Sequence, residues 1–273
     1  MQEKTFMFRG IPVAYLEGGS GLPILMIHGS GPGASTIGNW RKVLDPLARD
    51  YHVHAMDLIG FGHSGRKDAP PFFDFQMWID QCRDMISRMP GGGIGVIGHS
   101  ISGALALKLA ALEPRVAKVM TTAAMGAVFL PNAVSERAWT FPRNRDELRA
   151  AAQCLIHDTS LIDEAYLSNR EKILFTGDYA AYFQSMFDGD KRRFVDQAAL
   201  TAEELGRVRC DVLMVHGRDD QGFPPDLTLS VSRSLPQADV VLLGRCSHSV
   251  AFEHPDKFIA LAQMFFGTRD GRR

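Results

Sequence analysis

Apolar residues in this chain gather into short, nearly continuous runs separated by longer stretches of mixed character. The runs are "LPILMIH" (22–28), "YHVHAMD" (51–57), "GIGVIGH" (93–99), "VAKVMTT" (116–122), "DVLMVHG" (211–217) and "ADVVLLG" (238–244). A run that is apolar at successive positions has no solvent face, which suits a strand covered on both sides in a mostly parallel sheet. Between the runs lie predicted helices: "NWRKVLDPLARD", "FQMWIDQCRDMISRM" and "SGALALKLAALEP", the last stopped by Pro114. Alternating strands and helices are the pattern of an α/β protein. The opening segments "KTFMFRG" and "IPVAYLEGG" read as an antiparallel hairpin at one edge, which brings the sheet to eight strands.

The alternation lapses between residues 127 and 207. There the chain becomes helical and rich in charge, as in "SERAWTFPRNRDELRAAAQCLIH", "SLIDEAYLSNREKILF" and "DKRRFVDQAAL". This stretch is expected to form a helical cap inserted into a core made of residues 1–126 and 208–273. No internal repeat, low-complexity tract or linker marks a second independent domain.

Composition narrows the function classes. A chain of 273 residues with 45% hydrophobic content is ample for a buried core. Its 30 Lys plus Arg against 31 Asp plus Glu leave a net charge of −1, so no basic field gathers nucleic acid or anionic lipid. A small-molecule ligand fits better. Cys82, Cys154, Cys210 and Cys246 are scattered and read as buried thiols in a reducing compartment. No cysteine or histidine spacing along the chain suits zinc, and His52, His54, His63, His157 and His216 are read as structural. The charged N-terminus and the lack of any apolar run near about 18 residues indicate neither export nor a membrane span, so a cytoplasmic protein is expected.

Candidate chemistry begins at "GHSISG" (98–103). Ser100 follows a predicted strand and opens a predicted helix, the setting of a nucleophile elbow. The close approach of strand and helix there demands small residues two before and two after the serine, which are Gly98 and Ser102, with Gly103 next. A serine hydroxyl needs a base, and the base needs an orienting carboxylate. "VHGRDDQGFPP" supplies an acidic pair just past a strand, and "RCSHSVAFEHP" supplies His248 past the next one. The chain order Ser, Asp, His is that of the α/β-hydrolase fold. The acid there usually stands three residues after the glycine of the "HG" pair, which favours Asp220 over Asp219, and His248 is favoured over His254. "HGSGPGAS" (28–35) offers a glycine-rich turn, and the backbone N–H groups of Ser30 and Ile101 are the expected oxyanion donors.

With these motifs in order, together with "GNWRKVLDPLARDYHVHAMDLIGFGHS" and "HDTSLIDEAYLSNRE", the chain resembles the meta-cleavage product hydrolases, carbon-carbon bond hydrolases of bacterial aromatic catabolism. The resemblance spans nearly the whole sequence and looks closest to the branch acting on monocyclic ring-fission products, whose cap has segments similar to "FQSMFDGDKRRFVDQAAL". It implies a 2-hydroxy-6-oxohexa-2,4-dienoate substrate, no cofactor, no metal and a homodimer. It also implies that Arg170 and Asn39 bind the carboxylate and hydroxyl end of that substrate, a task suited to a planar guanidinium.

Three departures from the family pattern stand out. His99 replaces an asparagine before the nucleophile, Ser102 replaces a glycine, and Ser247, His248, Ser249 stand where the family usually has Gly, His, Trp. The expected result is a lost aromatic wall and a new titratable group at His99 near the substrate, alongside Ser249. Other readings of the same residues are a carboxylesterase or lactonase, a cofactor-independent oxygenase, and a ligand receptor without turnover.

Overall fold

The computed structural model describes residues 1–267. Eight strands form one sheet in the order β1-β2-β4-β3-β5-β6-β7-β8. Their ranges are β1 Gln2–Phe8, β2 Ile11–Gly19, β3 Leu22–Ile27, β4 Tyr51–Met56, β5 Ile94–His99, β6 Val116–Thr122, β7 Asp211–Gly217 and β8 Ala238–Leu243. Strands β1 and β2 pair antiparallel and β2 joins β4 antiparallel, while β4, β3, β5, β6, β7 and β8 run parallel. The expected eight-stranded, mostly parallel sheet with an edge hairpin is the observed one.

Both faces of the parallel strands are covered, which is why their sequences lack alternation. Ile24, Met26, Val53, Ala55, Ile97 and Val215 form one core with Trp40, Phe258 and Phe266. Leu25, Ile27, Met56, Val96 and Met214 turn the other way onto a second core with Trp78 and Leu105. Neighbouring residues of one strand thus serve opposite layers.

The stretch 39–50 is not one helix, as expected from its pattern, but two short ones, α1 Thr36–Trp40 and α2 Leu44–Leu47. Pro46 has no N–H to donate to the carbonyl of Lys42, and its ring would collide with that carbonyl in a continuous helix. The next two match their patterns closely: α3 Phe75–Arg88, capped by Asp74 Oδ1 accepting from the Met77 N–H at 2.9 Å, and α4 Ile101–Leu112. Of the four cysteines only Cys82 and Cys246 are buried, whereas Cys154 and Cys210 are half-buried at helix and strand ends. None forms a disulfide.

Between β6 and β7 the chain is helical: α5 Ala133–Arg137, α6 Arg145–Gln153, α7 Glu164–Leu174, α8 Tyr179–Met186, α9 Arg192–Ala198 and α10 Ala202–Arg207. Side chains of Asn132, Asn144, Asp163 and Thr201 cap α5, α6, α7 and α10 by accepting from N–H groups of the first turn. An aromatic seam fastens this layer to the sheet, with Phe73 and Phe194 centroids 4.5 Å apart and Phe61 and Phe187 6.4 Å apart. Three helices complete the fold: α11 Asp226–Ser232, α12 Val250–Glu253 and α13 Pro255–Phe266. No helix among the described residues is long and apolar enough to cross a membrane.

Candidate active site

The carboxyl ends of the parallel strands converge beneath the helical layer, where connecting loops leave a crevice. Ser100 sits between β5 and α4 with φ 59° and ψ −123°, a conformation that costs a non-glycine residue on the order of 1–3 kcal/mol. The surrounding backbone holds it there. The Ser100 N–H donates to Thr122 O at 2.9 Å, and the Ser100 carbonyl accepts from the N–H groups of Gly103 and Met125 at 2.9 and 3.0 Å.

The small residues of the elbow have separate duties. A Cβ on Gly98 would lie 2.0 Å from the Ser102 carbonyl oxygen, so no side chain fits. A Cβ on Gly103 would lie 2.5 Å from Ala124 Cβ, so α4 lies tight against the residues after β6 at position 103. Position 102 carries a serine. Its Oγ donates to the His28 carbonyl at 2.5 Å, tying the elbow to the glycine-rich turn and contributing about 1 kcal/mol net. Ser102 is therefore a brace and not just a small residue that the turn tolerates.

Ser100, His248 and Asp220 form a continuous chain. Ser100 Oγ is 2.9 Å from His248 Nε2, and His248 Nδ1 is 2.6 Å from Asp220 Oδ2. The carboxylate accepts from Nδ1–H, which leaves Nε2 as the acceptor for the serine hydroxyl proton. Asp220 Oδ1 accepts from the N–H groups of Gly222 and Phe223 at 3.1 and 2.9 Å. Burial pushes the Asp220 carboxyl up, but His248 and His216 outweigh that effect, and the group is held well below the ordinary carboxylate range. His216 is fixed with Nε2 donating to Phe223 O at 2.8 Å and Nδ1 accepting from Thr228 Oγ1 at 2.7 Å. Asp219 lies outside this chain beside Arg218, and His254 is spent on the Arg245 carbonyl at 2.7 Å.

The crevice holds a cavity of about 40 Å³ whose lining includes Ser30, Asn39, Ser100, Trp139, Arg170 and His248. Ile101 is the first residue of α4, so its N–H is one of those without an acceptor inside the helix. Gly31 and Pro32 continue the turn from Ser30, and His28 braces it: Nδ1 donates to Gly29 O at 2.6 Å while Nε2 accepts from the Leu58 N–H at 3.0 Å. Arg170 reaches in from α7, donating from Nη1 to Pro32 O at 2.6 Å and resting 4.7 Å from the centre of the Tyr166 ring. Its Nε is buried and has no partner. Asn39 enters from α1 and lines the same wall.

The departures at His99 and Ser249 also meet here. The His99 ring lies 4.9 Å from that of His248, with Nδ1 3.2 Å from Thr122 O and 3.1 Å from Thr122 Oγ1. A carbonyl can only accept, so Nδ1 carries the hydrogen and Nε2 is left as an acceptor. Burial first, and then the neighbouring His248, push the His99 pKa well below the ordinary histidine value, so the ring is neutral. Beside Ser249 is a void of about 10 Å³, shared with Asn39, His99, Tyr166 and Arg170, roughly the space of one water. A different aromatic residue packs on the base: the Phe223 ring lies 4.5 Å from that of His248 between centroids, tilted 30°.

Sequence reasoning missed Phe223, Trp139 and Thr122. Trp139 Nε1 donates to Ser30 Oγ at 3.0 Å, and the residue lines the cavity. Phe223 stands three residues after Asp220, where an N–H donor to the acid was a legible signal. Nothing along the chain pairs Trp139 with Ser30, 109 residues away.

Comparison with known proteins decides the family. The model described as "Alpha/beta hydrolase family" matches residues 24–261. The chain belongs to the alpha/beta hydrolase family. Within it, this hydrolase is 28% identical over 262 residues to a 2-hydroxy-6-oxo-2,4-heptadienoate hydrolase of Pseudomonas putida, covering 96% of this chain and 95% of that one. It is equally 28% identical to a 2-hydroxymuconate semialdehyde hydrolase of a Pseudomonas species, covering 96% and 92%. A solved meta-cleavage product hydrolase from Pseudomonas fluorescens superposes with TM-score 0.91 at 26% identity, over 96% of this chain and 97% of that chain.

Proposed function

We propose that this hydrolase cleaves the C5–C6 carbon-carbon bond of a 2-hydroxy-6-oxohexa-2,4-dienoate, with Ser100, His248 and Asp220 as its triad. One observation carries the reading: Arg170, whose Nε is buried without a partner, lines the same small cavity as Ser100 and His248 of a hydrogen-bonded Ser-His-Asp chain. An ester hydrolase needs the chain but not the guanidinium. A substrate that ends in a carboxylate and passes through a dienolate needs both.

In this scheme Asn39 and Arg170 hold the carboxylate and the 2-hydroxyl, and the dienol ketonises by moving a proton from that hydroxyl to C5. Arg170 stabilises the negative charge on the oxygen during the transfer. Ser100 Oγ, losing its proton to His248 Nε2, or a water activated by the same nitrogen, adds to the C6 carbonyl. The N–H groups of Ser30 and Ile101 receive the oxyanion. The C5–C6 bond then breaks, its electron pair passes into the conjugated dienolate, and protonation releases 2-hydroxypenta-2,4-dienoate. The other product is a carboxylic acid, released directly or after water cleaves the acyl-serine. Neutral His99 offers Nε2 as an acceptor to a substrate or water O–H beside Ser249.

Arg170→Lys separates this reading from an esterase. A lysine keeps the charge but loses the planar fork. We expect kcat/KM for a dienoate to fall about 10²-fold, with the rate on a neutral aryl ester changed by less than about threefold. Equal losses on both substrates in steady-state assays would contradict the assignment of Arg170 to the carboxylate.

Trp139 is expected to limit the C6 substituent. Trp139, like Ala151, lines both the cavity and a larger hollow of about 670 Å³ that is also lined by Phe141, Phe187 and Lys191. Trp139→Ala is expected to widen the cavity toward that hollow. The ratio of kcat/KM for a C6-phenyl over a C6-methyl dienoate should rise about tenfold, and an unchanged ratio would remove Trp139 as a determinant of size.

A further inference from the structure

Strand pairing brings together three metal-binding side chains that have no part in the triad. His52 and His54 stand two apart on β4 and so project to one face of the sheet. Glu17 on β2 is the direct antiparallel partner of His54. One ligand atom from each of Glu17, His52 and His54 lies within 4.8 Å of the other two. His52 Nε2 is 2.9 Å from Glu17 Oε1, and the two imidazole centroids are 4.4 Å apart.

His54 supplies a second, independent observation. It is 4% exposed, and neither of its ring nitrogens has a hydrogen-bond partner. A neutral imidazole carries one N–H donor and one lone pair, and a buried ring with both left unused requires a further partner. Tyr15 stacks along the ring at 6.3 Å between centroids but satisfies neither nitrogen.

We propose that Glu17, His52 and His54 form a binding site for a divalent first-row transition ion, with Zn²⁺ the best match. Two imidazoles and one carboxylate are a borderline-soft donor set suited to zinc, whereas Mg²⁺ and Ca²⁺ favour oxygen alone. Tetrahedral bonds of about 2.0–2.1 Å hold ligand atoms roughly 3.4 Å apart. Rotation of the Glu17 and His52 side chains, 19% and 21% exposed, brings the present spacing to that value and leaves a fourth position for water. Lys4 Nζ holds Glu17 Oε2 at 2.7 Å, which leaves Oε1 as the ligand, and its own side chain is 42% exposed and free to withdraw into solvent.

The site lies away from the reaction centre. His52 is near the start of β4, whereas Ser100 follows the end of β5, and β4 and β5 both run parallel to β3. A metal there clamps the edge hairpin to β4 and leaves the triad untouched. Spacing along the chain could not show it, because Glu17 is 35 residues from His52 and reaches it only through the β2–β4 register.

The test uses the full chain, stripped with a chelator and titrated with Zn²⁺ by calorimetry and with Co²⁺ by visible absorption. One equivalent should bind, the Co²⁺ form should show a four-coordinate spectrum, and Tm should rise with Zn²⁺ and return with EDTA. His52→Ala and Glu17→Gln, both at partly exposed positions, should weaken binding at least about tenfold without changing turnover. His54→Ala should do the same if it folds. The proposal is overturned if no stoichiometric ion binds, or if binding persists in His52→Ala. Zinc held by His99 and His248 instead would inhibit turnover and survive that substitution, which also counts against it. Neither result bears on the dienoate reading.

Discussion

Ser100→Ala is expected to lower kcat for dienoate cleavage by about 10⁴-fold or more, while KM stays within about tenfold of the parent value. The side chain removed makes one functional hydrogen bond, to His248 Nε2 at 2.9 Å. The groups assigned to binding, Arg170 and Asn39, enter from α7 and α1 and do not depend on it. Alanine tolerates the elbow no better and no worse than serine, because the strain at φ 59° belongs to the backbone. Steady-state kinetics on the purified variant, with a melting curve to confirm the fold, provide the check. A small residual rate is compatible with water activated by His248. Cleavage at the parent rate would remove the serine from the mechanism.

Asp220→Asn should cost about 10⁴-fold in kcat through a change of tautomer. The carboxylate accepts from His248 Nδ1 at 2.6 Å and so leaves Nε2 free to take the serine proton. An asparagine that keeps its oxygen on the Gly222 and Phe223 N–H groups must point its NH₂ at Nδ1. That donor moves the imidazole hydrogen to Nε2, where it blocks proton acceptance. The loop geometry is retained, so Tm should change by only a few degrees. Asp219→Asn is the companion variant: the side chain lies beside Arg218, and kcat should stay within about twofold. Parallel rate measurements on the two variants check the assignment of the acid, and a larger loss at Asp219 would reverse it.

The sequence made the parallel strands visible because each is buried on both faces, so Ile24 and Leu25, or Ile97 and Val96, are apolar side by side. The same logic failed over residues 39–50, where helical spacing was present but Pro46 removed the hydrogen bond a single helix needed. The hydrogen-bonded chain proposed as the triad was legible because each member follows a strand end and local rules place it. Ser100 needed the elbow, Asp220 needed the spacing after Gly217, and His248 needed the loop after β8. What escaped were contacts between layers. Trp139 on Ser30, Phe223 on His248 and Ser102 on the His28 carbonyl depend on where the helical layer and the strand ends come to rest. Position 102 shows the limit well. A missing glycine looked like a tolerated defect, whereas the Ser102 hydroxyl ties the elbow to the glycine-rich turn.

Carbon-carbon bond cleavage is tested by product analysis of the unmodified enzyme. Dienoates varied at C6 are incubated with the enzyme, loss of dienoate absorbance is followed, and both products are quantified by chromatography. One equivalent of 2-hydroxypenta-2,4-dienoate and one of the C6 carboxylic acid are expected for each substrate molecule consumed. Turnover of aryl esters with every dienoate left intact would contradict it.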